Sequence, residues 1–135
     1  MASGLTLKLP VVVDELDGLK LVKDFPSLVQ QNLKNLLLTM PGERIMDPLF
    51  GVGMPRFLFE QNNPSVYAEI RGKIEQQVSK YMPFVRIDDV DFSSAAVNAI
   101  NDNAPASSPS TDPNYLGVKI TYTIIPLKAT RNLNL

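Results

Sequence analysis

Glu43, Asp47 and Glu60 are carboxylates gathered in one stretch dense in turn residues. Two carboxylates at a suitable separation can act as the acid and base of glycoside hydrolysis, and the composition leaves few other catalytic chemistries open. Histidine and cysteine are both absent, which removes imidazole bases, thiolate nucleophiles, disulfides and the usual zinc and iron ligands together. A metal would have to rest on oxygen ligands alone, and no metal, cofactor or catalytic residue is expected. The spacing of the three acids selects no pair, since each stands beside a positive charge or a turn that accounts for it. Gly51-Val52-Gly53 is no phosphate loop either: it lacks a third glycine, a lysine followed by serine or threonine, and a preceding buried strand.

The same stretch reads more economically as structure. Pro41-Gly42 suits a type II turn, proline presetting the first central φ and glycine supplying the positive second one. Glu43-Arg44 places opposite charges straight after the turn, Asp47-Pro48 begins another break, and Phe50-Gly51 leads into Met54-Pro55-Arg56-Phe57-Leu58-Phe59-Glu60. Arg44 could neutralise the carbonyl end of the preceding helix or pair with Glu43 or Asp47. A docking surface is the other use of such a cluster, and the residues alone do not separate the two.

Two amphipathic helices flank this segment. Asp24 is a helix N-cap with Pro26 in the first turn, and Leu28, Val29, Leu33, Leu36, Leu37 and Met40 recur at helical spacing. After a short helix over 54–60, Asn63-Pro64-Ser65 starts a longer one whose stripe is Val66, Tyr67, Ile70, Ile74, Val78 and Tyr81, with Glu69 and Lys73 as an i,i+4 pair. Pro83 ends it. Gly72 costs ~1 kcal/mol against alanine in a helix interior, through either close backbone approach or simple tolerance.

Sheet surrounds the helices. Val11-Val12-Val13 and Leu19-Lys20-Leu21-Val22 on either side of Asp17-Gly18 predict an amino-terminal hairpin. Residues 85–92 read as a strand, and Leu116, Val118, Ile120, Tyr122 and Ile124 alternate with Gly117, Lys119, Thr121 and Thr123 in the clearest two-residue repeat of the chain. The small, polar and proline-rich segment 101–114 predicts a flexible hairpin loop or an extension ordered by a neighbour, and 127–135 reads as a carboxy-terminal tail. The fold class expected is α+β: an amino-terminal hairpin and two main helices with a short connecting one, packed on a small antiparallel sheet with a long carboxy-terminal hairpin.

At 135 residues the chain is read as one domain, able to bury about two-thirds of the surface its unfolded form exposes. Thirteen basic and fourteen acidic residues are mixed along it, which leaves no electrostatic footprint for nucleic acid. The amino terminus lacks a secretory pattern and no apolar run approaches the ~20 residues that span a bilayer. A soluble protein made in a cytoplasm, with neither nucleic acid nor membrane as partner, is the expectation.

The order of the pieces, a leucine-rich helix, T-x-P-G-E-R over 39–44, D-P-x-F-G over 47–51 and then an apolar L-F-E over 58–60, resembles the sheath-initiator and wedge family of contractile phage baseplates, with relatives in contractile injection particles and type VI secretion baseplates. The resemblance spans roughly residues 10–125. It implies a structural component of a virion tail baseplate, or of the cytoplasmic baseplate of a related machine, present in several copies in a ring. It also implies as partners the wedge proteins and the sheath protein, with hub or tube-initiator proteins as further contacts. Pro41, Gly42, Glu43, Arg44, Asp47, Pro48, Phe50 and Gly51 would be its structural motif.

Where many members carry Glu-Pro-Arg after the third helix, this chain reads Met82-Pro83-Phe84-Val85-Arg86. The resemblance makes Pro83 and Arg86 the wedge contact; the residues alone favour a helix stop followed by a surface arginine. An edge strand offers unpaired backbone groups to a partner chain, although the alternation here fits an interior strand too; the resemblance, to machines whose sheath subunits link through exchanged strands, implies Val118, Lys119, Ile120, Thr121, Tyr122 and Thr123 as the sheath-binding edge. Lysozyme-like labels have been attached to the family. A carboxylate-dependent peptidoglycan hydrolase and an adaptor unrelated to sheath assembly are the competing readings, and hydrolysis is not expected.

Overall fold

The computed structural model describes residues 4–15, 18–60, 63–94 and 116–135. The expected loop 101–114 and the Leu16-Asp17 part of the hairpin turn lie outside them. The amino-terminal hairpin forms as two short ladders. β1 (Thr6–Leu7) pairs with β4 (Leu21–Val22), and β2 (Val13–Asp14) pairs with β3 (Gly18–Leu19). It is tethered to the first helix where the Gln31 side chain donates to the Leu7 carbonyl and accepts from the Leu9 N–H.

Helix α1 spans Phe25–Leu38, and Asp24 caps it by accepting from the Ser27 N–H at 3.0 Å. Those bonds to Ser27 hold the Asp24 carboxyl below its usual range. Val29, Leu33, Leu36 and Leu37 are buried, Leu28 is half-buried and Met40 is exposed. Helix α2 is only Met54–Phe57, shorter than the 54–60 expected; Met54 and Phe57 enter the core, whereas Phe59 stands 92 % exposed. Helix α3 is Pro64–Tyr81, buried through Ile70, Ile74 and Val78, with Lys73 and Glu69 paired at 2.7 Å on its outer side. A Cβ on Gly72 would meet open space, so tolerance explains that glycine.

The carboxy-terminal sheet has three antiparallel strands in the order β5 (Val85–Ser94), β6 (Leu116–Ile124), β7 (Ala129–Asn134). One face carries Val85, Val90, Val118, Ile120, Tyr122, Ile124 and Leu133 into a single core with the helices. The opposite face is polar, with rungs such as Asp89, Thr121, Asn132 and Asp91, Lys119, Asn134.

Two expectations fail here. Residues 127–135 are no tail: a four-residue turn returns the chain, and Leu133 is buried against Ile120. β6 is consequently the middle strand and offers no open edge. Val118, Ile120 and Tyr122 are buried, and Lys119, Thr121 and Thr123 occupy the polar face between two filled ladders.

The Tyr122 hydroxyl is buried with no hydrogen-bond partner among the described residues, and desolvation pushes its pKa up. Removing an unsatisfied buried hydroxyl recovers its desolvation cost, so Tyr122→Phe should leave stability unchanged or raise it by about 1 kcal/mol in urea unfolding. A loss of that size would mean that the hydroxyl has a partner.

Candidate functional site

Proline ends α3, and the turn that follows builds a cleft. The Met82 N–H still donates to Val78, and the Met82 carbonyl accepts from Val85, so the chain passes from helix to strand in three residues. Met82 is buried in the core, at the position where the resemblance would place an acid; an uncompensated carboxylate there would be costly. Glu75 and Val78 of α3, Pro83, Arg86 and Ile87 of β5, and Ile125 of the β6–β7 turn surround a cleft of about 290 Å³. Pro83 and Arg86, separated in sequence, thus share one concave surface.

Arg86 is anchored by an element that the sequence reading overlooked. Its Nε donates to Asp88 Oδ1 at 2.9 Å, while the side chain stays 69 % exposed. Asp88 is the extra residue of a β-bulge, where the register with β6 slips between Ile87 and Asp89. Thr123 Oγ1 donates to Asp88 Oδ2 and lies 3.0 Å from Thr130 Oγ1. A polar chain therefore crosses all three strands. The Thr123 bond first, then the Arg86 guanidinium, holds the Asp88 carboxyl below its ordinary value. The signal was legible in the apolar spacing, since Val85 and Ile87 alternate strictly but the next apolar residue is Val90.

The turn cluster acts as a buttress between α1 and α3. Glu43 N–H donates to the Met40 carbonyl across the Pro41-Gly42 turn, where Gly42 has φ +91°, and Glu43 Oε2 accepts from the Met40 N–H. The Gly42 N–H donates to Pro48, which closes the loop. Asp47 accepts from the Tyr81 hydroxyl at 2.7 Å, Phe50 meets Tyr81 edge-on, and Gln77 of α3 bonds both Leu49 and Gly51. Gly51 (φ +111°) lies so near α1 that a Cβ would stand 2.1 Å from the Thr39 carbonyl oxygen. Arg44 does not follow the expected ion pairing. Its guanidinium lies 3.7 Å over the Phe50 ring, a cation–π contact that keeps the charge exposed.

These contacts also account for the acids. Glu43 is tied to the turn, Asp47 to Tyr81, and Glu60 faces Arg56 at 3.9 Å one helical turn away. Among the described residues no cluster could hold a metal ion, and no helix is long and apolar enough to cross a membrane.

The open backbone lies on the outer strands. Val118 and Leu135 exchange two hydrogen bonds, so antiparallel alternation turns the backbone groups of Thr130, Asn132 and Asn134 away from β6. No strand pairs with that side of β7 among the described residues. It opens on a groove of about 700 Å³ whose far wall includes Leu9, Gln30, Gln31 and Lys34. The outer side of β5 is blunted by its bulge and by Arg71 of α3, which donates to the Val90 carbonyl and to Asp89; both features discourage edge pairing. The sequence hint for β7 was slight, limited to Leu133 and Leu135 at two-residue spacing.

A family model described as baseplate wedge protein gp25 matches residues 24–126. Among solved structures, the cryo-EM baseplate of the anti-feeding prophage contains a chain similar over 88 % of this chain and 83 % of its own length, at 24 % identity and a TM-score of 0.64. A crystal structure of a Geobacter sulfurreducens protein, provisionally named a tail lysozyme, matches over 85 % of this chain and 91 % of its own, at 19 % identity and a TM-score of 0.62. At these identities the likeness establishes the fold. Comparison with curated proteins gives no significant match.

The buttress and the bulge each generate a measurable outcome. Gly51→Ala forces a positive φ on alanine and drives a methyl into the α1 terminus, so unfolding free energy should fall by roughly 2–4 kcal/mol. A loss under about 0.5 kcal/mol would show that the loop shifts freely. The folded Asp88 carboxyl is depressed, so the tie contributes stability above the ordinary carboxylate range and loses it as pH falls through the folded value. Carboxyl NMR should place the Asp88 inflection below 3.8 and move it upward in Thr123→Val.

Proposed function

Since the chain belongs to the baseplate wedge protein gp25 family, we propose that it works as the piece that joins wedge proteins to the first sheath ring and templates sheath assembly. Its place in a multi-component, multi-copy baseplate of a contractile machine follows from that membership. The finer reading rests on one observation: among the described residues no strand pairs with the outer backbone of β7, which lies beside an open groove. An extended segment of a sheath subunit laid there would add a fourth strand, main-chain bonds supplying attachment and the groove wall supplying choice.

The corrected edge strengthens the mechanical logic. β7 is sewn to β6 along its whole length, and β6 to β5, so load applied at the rim passes into the core. A head-to-tail contact that does not close on itself propagates as a helix. A ring of such rims would thereby set where the sheath starts and in which register, and several copies engaged together hold through avidity even when each contact is weak. The Pro83–Arg86 cleft lies by the β6–β7 turn, suited to a wedge protein that fixes the domain in the ring. Attachment, with no turnover, accounts for carboxylates each engaged in local structure. On this reading the protein is made in the host cytoplasm and carried in the tail baseplate, or stays in the cytoplasmic baseplate of a related machine.

Strand parity provides the test. Asn132→Pro removes only an outward N–H, which edge strands tolerate, and should abolish sheath nucleation on reconstituted baseplates while the melting temperature changes by only a few degrees. Arg131→Pro removes an inward ladder bond and leaves its acceptor on β6 unpaired, which should destabilise the domain by about 1–3 kcal/mol. Normal nucleation by folded Asn132→Pro protein would refute the augmented rim.

A further inference from the structure

The bulge in β5 is usually a place where a strand re-aims a side chain, and here the extra residue is itself charged. Asp88 takes the Nε of Arg86, two residues earlier on the same strand, and is gripped from the other side by the Thr123 hydroxyl, which in turn lies against Thr130. The guanidinium is thus held at one corner. Its two Nη nitrogens have no partner among the described residues, and the side chain lines the cleft formed by Pro83, Glu75 and Ile125. An unpaired surface arginine samples many rotamers, and fixing one on binding costs entropy. A guanidinium already anchored through Nε keeps its planar fork while that cost is met within the free protein.

We propose that Asp88 is the positioning residue for Arg86, presenting the free Nη edge to acceptor oxygens of the wedge partner from a frame stitched across β5, β6 and β7. The inference rests on the reading that Arg86 meets the wedge. It assigns the acid to the bulge and ties the wedge cleft physically to β7, whose outer rim is the sheath candidate. Thr123 sits on the middle strand with Asp88 on one side and Thr130 on the other, so both surfaces share one polar chain.

The experiment uses the full chain and, as probe, baseplates purified from particles that lack it. Incorporation is titrated for the parent protein, Arg86→Ala, Asp88→Ala and the double variant, with the Arg86 Nε–H followed by NMR in the free protein. Arg86→Ala should weaken incorporation at least tenfold. Asp88→Ala should weaken it about three- to tenfold in the parent and have no further effect on Arg86→Ala, the pattern of coupled neighbours in a double-mutant cycle. The Arg86 Nε–H resonance should lose its protection from solvent exchange in Asp88→Ala, and Thr123→Val should give a smaller change in the same direction. Full incorporation of Arg86→Ala would overturn the wedge reading itself. Weakened Arg86→Ala with an unaffected Asp88→Ala, or an Asp88→Ala effect that persists undiminished without Arg86, would overturn the positioning role alone. Thermal melts of each variant separate either result from loss of the fold.

Discussion

Saturation of β6 on both edges governs this fold. The strand lies between β5 and β7 in antiparallel ladders broken only by the bulge at Asp88, so its backbone groups are satisfied by the protein's own chain and its even-numbered side chains are committed to the core. Ile120, Tyr122 and Ile124 are fully buried against the helices, and side-chain burial of that kind is the main favourable contribution to folding. The alternating pattern that makes β6 conspicuous in the sequence is thus the mark of a central strand. It also fixes the register of its neighbours, because a slip of one residue would carry the whole apolar set to the polar face.

Around that strand the turn cluster sets the distance between the helices. Tyr81 and Gln77 of α3 reach the loop through Asp47, Leu49 and Gly51, and the loop is bonded back to α1 through Thr39 and Leu36. The backbone of 39–53 is therefore packed between two helices, and proline and glycine occur where the chain has no other way to turn or to approach. The acids that invite a catalytic reading are engaged nearby: Glu43 accepts from this backbone, Asp47 from the Tyr81 hydroxyl, and Glu60 faces Arg56. Carboxylates at a tight turn satisfy N–H and hydroxyl donors before they are available to any substrate.

The proposed partner surfaces are left at the periphery. Pro83 and Arg86 share a cleft with the β6–β7 turn, and β7 presents a rim unpaired among the described residues on the far side of the sheet from α3 and its Arg71 clamp on β5. A bulge and an arginine blunt one edge of the sheet while the other is open among the described residues. That asymmetry gives a small domain one side on which a further strand can be received, and the three-stranded sheet joins it to the cleft.

Much of the architecture is legible in the residues taken one at a time. Asp24 before Pro26, the leucine stripe of α1, Asn63-Pro64 before α3, the Pro41-Gly42 reversal and the Leu116–Ile124 alternation are local signals, because caps, turns and burial periodicity depend on near neighbours. What pairs with what is a different matter. Whether an alternating strand is central or outer depends on two other strands that are distant or weakly patterned, and Ala129–Asn134 has little apolar content to announce it. The destination of Arg44 likewise depended on Phe50 being brought beneath it by Tyr81. The sequence by itself determined the two main helices, the alternating strand and the reversal that joins the helices; only the tertiary structure decided that Ala129–Asn134 is a strand and which backbone edge is left open among the described residues, since an edge is defined by the absence of a neighbour and no single segment encodes that.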